Sequence, residues 1–104
     1  MEIIRTDEFK SDLRAIGNDL KRLVLKRLDR IEEYGESAFG DCKPIKGAKN
    51  LYELIFDYGP GYRVYLTKSG NTTVELLCGG IKKKQSQCIV RAKQIQKNYN
   101  DQNK

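Results

Sequence analysis

Leu51-Tyr52-Glu53-Leu54-Ile55-Phe56-Asp57-Tyr58, Gly59-Pro60-Gly61, Tyr62-Arg63-Val64-Tyr65-Leu66-Thr67-Lys68 is the stretch that decides the fold. Apolar or aromatic residues recur at every second position on both sides of the Gly-Pro-Gly break. A period of two is the spacing of a strand with one face on a core. Two such runs joined by a short glycine-rich segment read as a β-hairpin. If Gly59, Pro60 and Gly61 form the loop, Tyr58 faces Tyr62 across it. Tyr52, Leu54, Phe56, Tyr58, Tyr62, Val64 and Leu66 then share one face. Glu53, Ile55, Asp57, Arg63, Tyr65 and Thr67 share the other, since side chains alternate along a strand. The first set suits a core beneath helices. The second is expected on an open sheet face.

Downstream, Ser69-Gly70-Asn71 is a turn, and Thr72 to Cys78 is a third strand ending at Gly79-Gly80. A last helix is expected from about Gln85 or Ser86, with Ile89, Ala92 and Ile95 on one side. Upstream, Glu36 to Asn50 is turn-rich and is expected as a loop carrying Lys43, Lys46 and Lys49. Before it, Leu20, Leu23, Val24, Leu28, Ile31 and Tyr34 form one helical stripe, and Gly35 stops it. Phe9, Leu13 and Ile16 mark a shorter helix, capped by Thr6 and broken at Gly17-Asn18. Ile3-Ile4, within Glu2 to Arg5, suits a first strand. The order is β-α-α-β-β-β-α. The expected class is α+β, an antiparallel meander packed on an N-terminal helical hairpin. Residues 1–104 are read as one domain, with the polar tail 98–104 expected to fray.

The chain has 20 Lys and Arg against 14 Asp and Glu, a net charge of +6. That balance favours an anionic partner such as nucleic acid. No apolar run reaches the roughly 20 residues needed to cross a bilayer. The N-terminus lacks the order of a secretory signal, so a cytoplasmic location with no membrane partner is expected. There is no histidine, and Cys42, Cys78 and Cys88 lack ligand spacing. No metal site and no small-molecule cofactor is expected, and the cysteines read as reduced thiols.

A face with Arg, Lys and Tyr suits RNA. Cations neutralise phosphate, and a phenol ring can stack on a splayed base. Cleavage without metal needs a base for the 2′-hydroxyl, charge on the phosphate and a proton for the 5′-oxygen. Glu53 is the candidate base and Arg63 the candidate phosphate clamp. Lys82 or Lys83 can add charge or serve as acid, with Lys84 beside them, and Tyr65 is the candidate stacking ring. The bland alternative stays open: Glu53 and a basic neighbour also suit a plain cross-strand ion pair.

The runs Leu51 to Leu54, Asp57 to Tyr65, and Leu76-Leu77-Cys78-Gly79-Gly80 with Lys82 and Gln85 resemble the phage-derived addiction-module killer group. That group includes the HigB-like toxins and sits in the RelE/ParE superfamily. Gly40 to Gly47 and Ile89, Arg91, Ala92 and Lys93 are similar too. The resemblance implies the toxin of a type II toxin–antitoxin system. Such a toxin is a metal-free endoribonuclease that cuts mRNA, usually on the translating ribosome. It also implies a small helix-turn-helix antitoxin. Glu53, Arg63 and Lys82 are carried over as catalytic residues, and Lys46 as an RNA contact. Two stretches depart from the group: Ile55 stands where it often has Arg, and Ile81-Lys82-Lys83-Lys84 follows Gly79-Gly80 where it often has Asp-Lys and then Ser or Thr, which makes Lys83 a candidate stand-in for the missing charge. The alternatives are a ParE-like toxin that poisons DNA gyrase, and an inactive relic that binds only its antitoxin.

Overall fold

The computed structural model describes the backbone of residues 1–102 and the side chains of residues 1–100. Strand β1 (Glu2–Arg5) leads into helix α1 (Asp7–Arg14) and then α2 (Asn18–Tyr34). A 3-10 turn, Gly35–Ala38, precedes β2 (Cys42–Pro44), β3 (Tyr52–Phe56), β4 (Tyr62–Ser69) and β5 (Thr73–Ile81). A second 3-10 turn, Lys82–Lys84, runs straight into α3 (Gln85–Gln102). Among these residues the strands form one five-stranded sheet in the order β1-β5-β4-β3-β2.

The expected class and order of elements are present, with three corrections. Strands β2 to β5 make the antiparallel meander, but β1 lies parallel to β5, so the sheet is mixed. Part of the expected Glu36–Asn50 loop is strand β2, which pairs Lys43 with Glu53 and Pro44 with Tyr52. It is an edge strand, where proline's missing N–H does no harm. Helix α3 continues to Gln102, so residues 98–102 of the expected frayed tail are helical; 103 and 104 lie outside the described residues.

Helices cover both sides of the sheet. On one side Phe9, Leu20, Val24, Leu28 and Ile31 pack on Leu54, Phe56, Tyr62, Val64, Leu66, Val74 and Leu76. On the other, Ala92 and Ile95 of α3 pack on Leu51, Tyr65, Leu77 and Cys78. A bulge in β5 makes this second core possible. Tyr65 pairs with Cys78 and Leu66 with Leu76, leaving Leu77 as the extra residue, so Leu77 and Cys78 both join the α3 side. The β3–β4 pairing is two residues off the expected one: Phe56 faces Tyr62, and Asp57 to Gly61 forms a five-residue loop. A shift of two preserves the faces, so the division of side chains read from the alternation stands for the strand residues; Asp57 and Tyr58, expected on those faces, lie in the loop, and Tyr58 is exposed instead of joining the core.

Beyond Leu76, strand β5 has no β1 residue beside it, and α1 closes this edge. The Thr6 hydroxyl accepts from the Phe9 N–H at 3.1 Å and lies 2.8 Å from the Leu76 and Leu77 carbonyls. The Gly79 N–H donates to Asp12 Oδ2 at 2.9 Å, and Arg91 of α3 donates to the same oxygen at 2.7 Å. Gly79 is also where the Tyr62 ring lies on the backbone: a Cβ there would stand 2.8 Å from Tyr62 Cζ. Tyr62 is fully buried, and its hydroxyl has no hydrogen-bond partner. Gly79→Ala should therefore destabilise the chain by about 1–3 kcal/mol in denaturant titration. Tyr62→Phe should cost nothing or gain about 1 kcal/mol, since it removes an unsatisfied buried hydroxyl. A Gly79→Ala variant as stable as its parent would mean that the ring moves aside freely.

Candidate functional site

Strand pairing sets Lys43, Glu53, Tyr65 and Cys78 in one row across the sheet, and Ile55, Arg63 and Gly80 in the next row but one. Glu53 is 5% exposed. Its Oε2 accepts from Gln85 Nε2 at 2.7 Å and from the Tyr65 hydroxyl at 3.2 Å. Its Oε1 lies 3.7 Å from Arg63 Nε. Arg63 is 7% exposed. Its Nη1 donates to the Tyr62 carbonyl at 3.4 Å, and its Nε is buried without a hydrogen bond. Burial, reinforced by the charge of Glu53, pushes the Tyr65 phenol well above its ordinary range, so it remains a donor.

The expected open face is thus closed. Ile89, Ala92 and Ile95 give α3 an apolar side that must be covered. Helix α2 already occupies the first face of the sheet, so α3 lies on the second. Tyr65 is fully buried beneath it and has no face free to stack on a base. Glu53 is an acceptor already engaged by neighbours rather than a free carboxylate.

Lys82 is exposed and opens the 3-10 turn after β5. Its backbone N–H donates to the Gly61 carbonyl at 3.0 Å. A Cβ on Gly61 would stand 3.2 Å from Lys82 Cβ and 3.7 Å from Arg63 Nη1. Gly61 has φ of +78°, a conformation that favours glycine, and its bare Cα lets Lys82 and Arg63 close in from two sides. Lys83 and Lys84 are exposed in the same turn. Lys46 is exposed too, but in the turn after β2. It lies beyond the Pro44–Tyr52 pair, while Lys82 lies beyond Tyr62–Ile81. Strand β3 separates the two levels by roughly 13 Å, at about 3.3 Å per residue. The structure therefore gathers Glu53, Arg63, Tyr65 and Lys82 at one corner and leaves Lys46 apart.

Two neighbours of this corner were given no role in it by the sequence. Gln85, one of the residues that carry the resemblance and a candidate helix start, is the nearest hydrogen-bond partner of Glu53. Lys43 is exposed and directly opposite Glu53, but a three-residue edge strand is too short to show a period. Ile55 is buried opposite Arg63, and its carbonyl accepts from the Arg27 guanidinium, which lies 3.9 Å above the Phe56 ring.

Cys42, Cys78 and Cys88 are free thiols, and the described residues contain no acidic, cysteine or histidine cluster able to hold a metal. Burial pushes the Cys78 thiol from its ordinary value near 9 up to about 12. The unfolded chain loses this proton first, so the folded state binds more protons between those two values. Stability should be intact below pH 9 and fall as pH rises toward 12. Denaturant titrations at pH 8 and pH 10.5 check this, and equal stability at both would contradict it.

No protein-family profile matches the chain. An uncharacterized protein of Haemophilus influenzae is 42% identical over 94 residues, which is 89% of this chain and 90% of that one. Among solved structures, a mutant of the Escherichia coli toxin RelE in the free state superposes with a TM-score of 0.68 at 17% identity, covering 89% of this chain and 94% of the other. The RelB–RelE antitoxin–toxin complex of Methanococcus jannaschii gives 0.67 at 18% identity, over 81% and 95%. The intact E. coli RelBE toxin–antitoxin complex gives 0.60 at 16%, over 77% and 94%. At these identities the likeness to the solved structures is one of fold.

Proposed function

We propose, from the premise that the chain belongs to one family with the Haemophilus influenzae protein and has the fold of the RelE toxins, that it is the toxin of a toxin–antitoxin pair and cleaves mRNA. The observation that carries this reading is the corner at Gly61, where Lys82 and Arg63 converge on a chain of net charge +6. The Tyr58 to Tyr65 run supports a HigB-like member. The partners of this reading are mRNA on the translating ribosome and a helix-turn-helix antitoxin, all in the cytoplasm.

In this reaction the 2′-oxygen attacks the adjacent phosphorus and the bond to the 5′-oxygen breaks. The products are a cyclic phosphate and a 5′-hydroxyl. The proton lost by the 2′-hydroxyl and the one gained by the 5′-oxygen balance. Lys82, flanked by Lys83 and Lys84, neutralises the developing charge on phosphate, and Arg63 supplies a second cation from behind Gly61. Glu53 fixes the guanidinium. To take the 2′-hydroxyl proton as well, it must exchange its Gln85 hydrogen bond for one from substrate, a change open to a site without its ligand.

The test is induction of the chain in growing cells, with transcript 5′ ends mapped by primer extension. New ends inside translated messages, together with growth arrest, are expected. Intact messages alongside broken DNA would replace this reading with gyrase poisoning.

A further inference from the structure

On the α3 side of the sheet, at the end of β4 away from Gly61, lies a polar cleft of about 480 Å³. Thr67 and Glu75 form its floor, and Lys49, Asn50, Lys93 and Gln96 are among its walls. Thr67 and Glu75 lie directly opposite each other on β4 and β5. Thr67 is 7% exposed, and Glu75 is half-buried. Among the described residues neither side chain has a hydrogen bond or an ion pair. Burial with no compensating donor or cation pushes the Glu75 carboxyl above its ordinary value. Buried polar groups nearly always have partners, so a facing pair left open marks a place where a ligand can supply what the fold does not.

The walls are held in place by the fold itself. Asn50, with φ of +49°, donates from Nδ2 to the Lys68 carbonyl at 2.7 Å and accepts at Oδ1 from the Lys68 N–H at 3.0 Å. Gln96 of α3 donates to the Lys49 and Asn50 carbonyls at 3.0 and 2.9 Å. The turn before β3 is thereby clamped between strand and helix, so little freedom remains to be lost on binding. This turn carries Lys49 to one rim of the cleft, and α3 carries Lys93 to the other. Both lysines are exposed, and among the described residues neither has a carboxylate within ion-pair distance. We propose that the cleft binds a guanine nucleotide, with its phosphate between Lys49 and Lys93 and the pairing edge of its base on Glu75 and Thr67.

The chemistry of rim and floor selects that ligand. The lysines call for an anion and the floor for N–H donors. An acidic peptide or a polyamine would satisfy one half and be repelled by the other. A nucleotide carries both groups, and the volume lies within the roughly 300–1,000 Å³ of small-ligand sites. Guanine offers two adjacent donors, the ring N–H and the exocyclic amine, to the two carboxylate oxygens, with its carbonyl beside them for the Thr67 hydroxyl. Adenine and cytosine offer one donor beside a ring-nitrogen acceptor, and uracil one donor between two carbonyls. The cleft is separate from the cleavage corner. Thr67 is four residues along β4 from Arg63, roughly 13 Å away, and Tyr65 between them is buried under α3. The nucleotide can be free or part of an RNA strand, since the groups recognised are the same. Only the strand as its source rests on the ribonuclease reading.

Calorimetric titration of the full chain with 5′-GMP and 5′-UMP tests the site. GMP should bind at least about tenfold tighter, as a bidentate base contact does. Glu75→Gln should remove that preference, because an amide keeps one acceptor and sets a donor against the guanine edge. Lys93→Ala should weaken both nucleotides by a similar factor, since phosphate contacts carry no base information. Lys10→Ala, at an exposed lysine of α1, should stay within about twofold. Thermal unfolding checks that each variant is folded. The 2′-O-methyl trinucleotides ApGpA and ApUpA, which have no 2′-hydroxyl to attack the phosphate, distinguish the sources. Tighter binding of ApGpA than of GMP assigns the cleft to a strand, and the reverse assigns it to a free nucleotide. A chain that prefers guanine yet cuts no mRNA would sink the ribonuclease reading and keep the site. The site is overturned if guanine is not preferred over uracil in either form, or if folded Glu75→Gln keeps the preference. It is also overturned if folded Lys93→Ala binds both nucleotides as the parent does.

Discussion

Replacing Glu53 with alanine is expected to cost the fold about 3–5 kcal/mol, the usual penalty for stranding one member of a buried ion pair. For a chain of this size that is a drop in melting temperature of roughly 15–30 °C. Three donors converge on this carboxylate: Gln85, Tyr65 and, at a longer distance, Arg63. Arg63 is 7% exposed and would keep its charge with no counterion. The sign follows from what is left behind rather than from the strength of the bond removed. Glu53→Leu with Arg63→Met should therefore recover most of the loss, because an apolar pair leaves no charge buried. Thermal and denaturant unfolding of the parent, the single variant and the double variant decide this. A single variant within 1 kcal/mol of the parent would mean that water reaches Arg63 and that the corner is looser than its geometry.

This places the limit of the sequence reading at one particular element. The alternation from Leu51 to Lys68 gave the hairpin and its two faces correctly, because parity survives a register shift of two. The stripe of α2, the Thr6 cap and the stop at Gly35 were also legible, each being a local pattern within one turn or helix. The environment of the site was not. Whether Glu53, Arg63 and Tyr65 face water depends on where α3 lies, and α3 is about 20–40 residues further along the chain. Its three apolar residues announced a covered side without naming the surface beneath. The same holds for β1, whose partner is β5 at the far end of the sequence. The resemblance carried the identities of Glu53, Arg63 and Lys82 but not their burial, and burial is what separates them: Lys82 is exposed, whereas Arg63 and Glu53 are held inside.

That difference makes Lys82 the sharper probe of the proposed reaction. Arg63→Ala changes two things together, since it removes a cation and leaves Glu53 with two neutral donors. Lost cleavage would then be confounded with lost stability. Lys82 is exposed, and it is held in place by a backbone hydrogen bond to Gly61 that an alanine retains. Lys82→Ala should leave the melting temperature within about 2 °C, as surface substitutions do. It should lower the rate of mRNA cleavage roughly a hundredfold, the effect of removing one group that stabilises charge developing in the transition state. Lys83→Ala should cost much less on its own but deepen the Lys82→Ala defect, because both lysines crowd the same turn and their effects are coupled. Lys82→Arg should restore part of the rate, since a cation is retained while its geometry changes. Cleavage at the parental rate by the folded Lys82→Ala, Lys83→Ala double variant would remove Lys82 and Lys83 from the mechanism and leave the charge to Arg63 with Lys84 and Lys43 beside it.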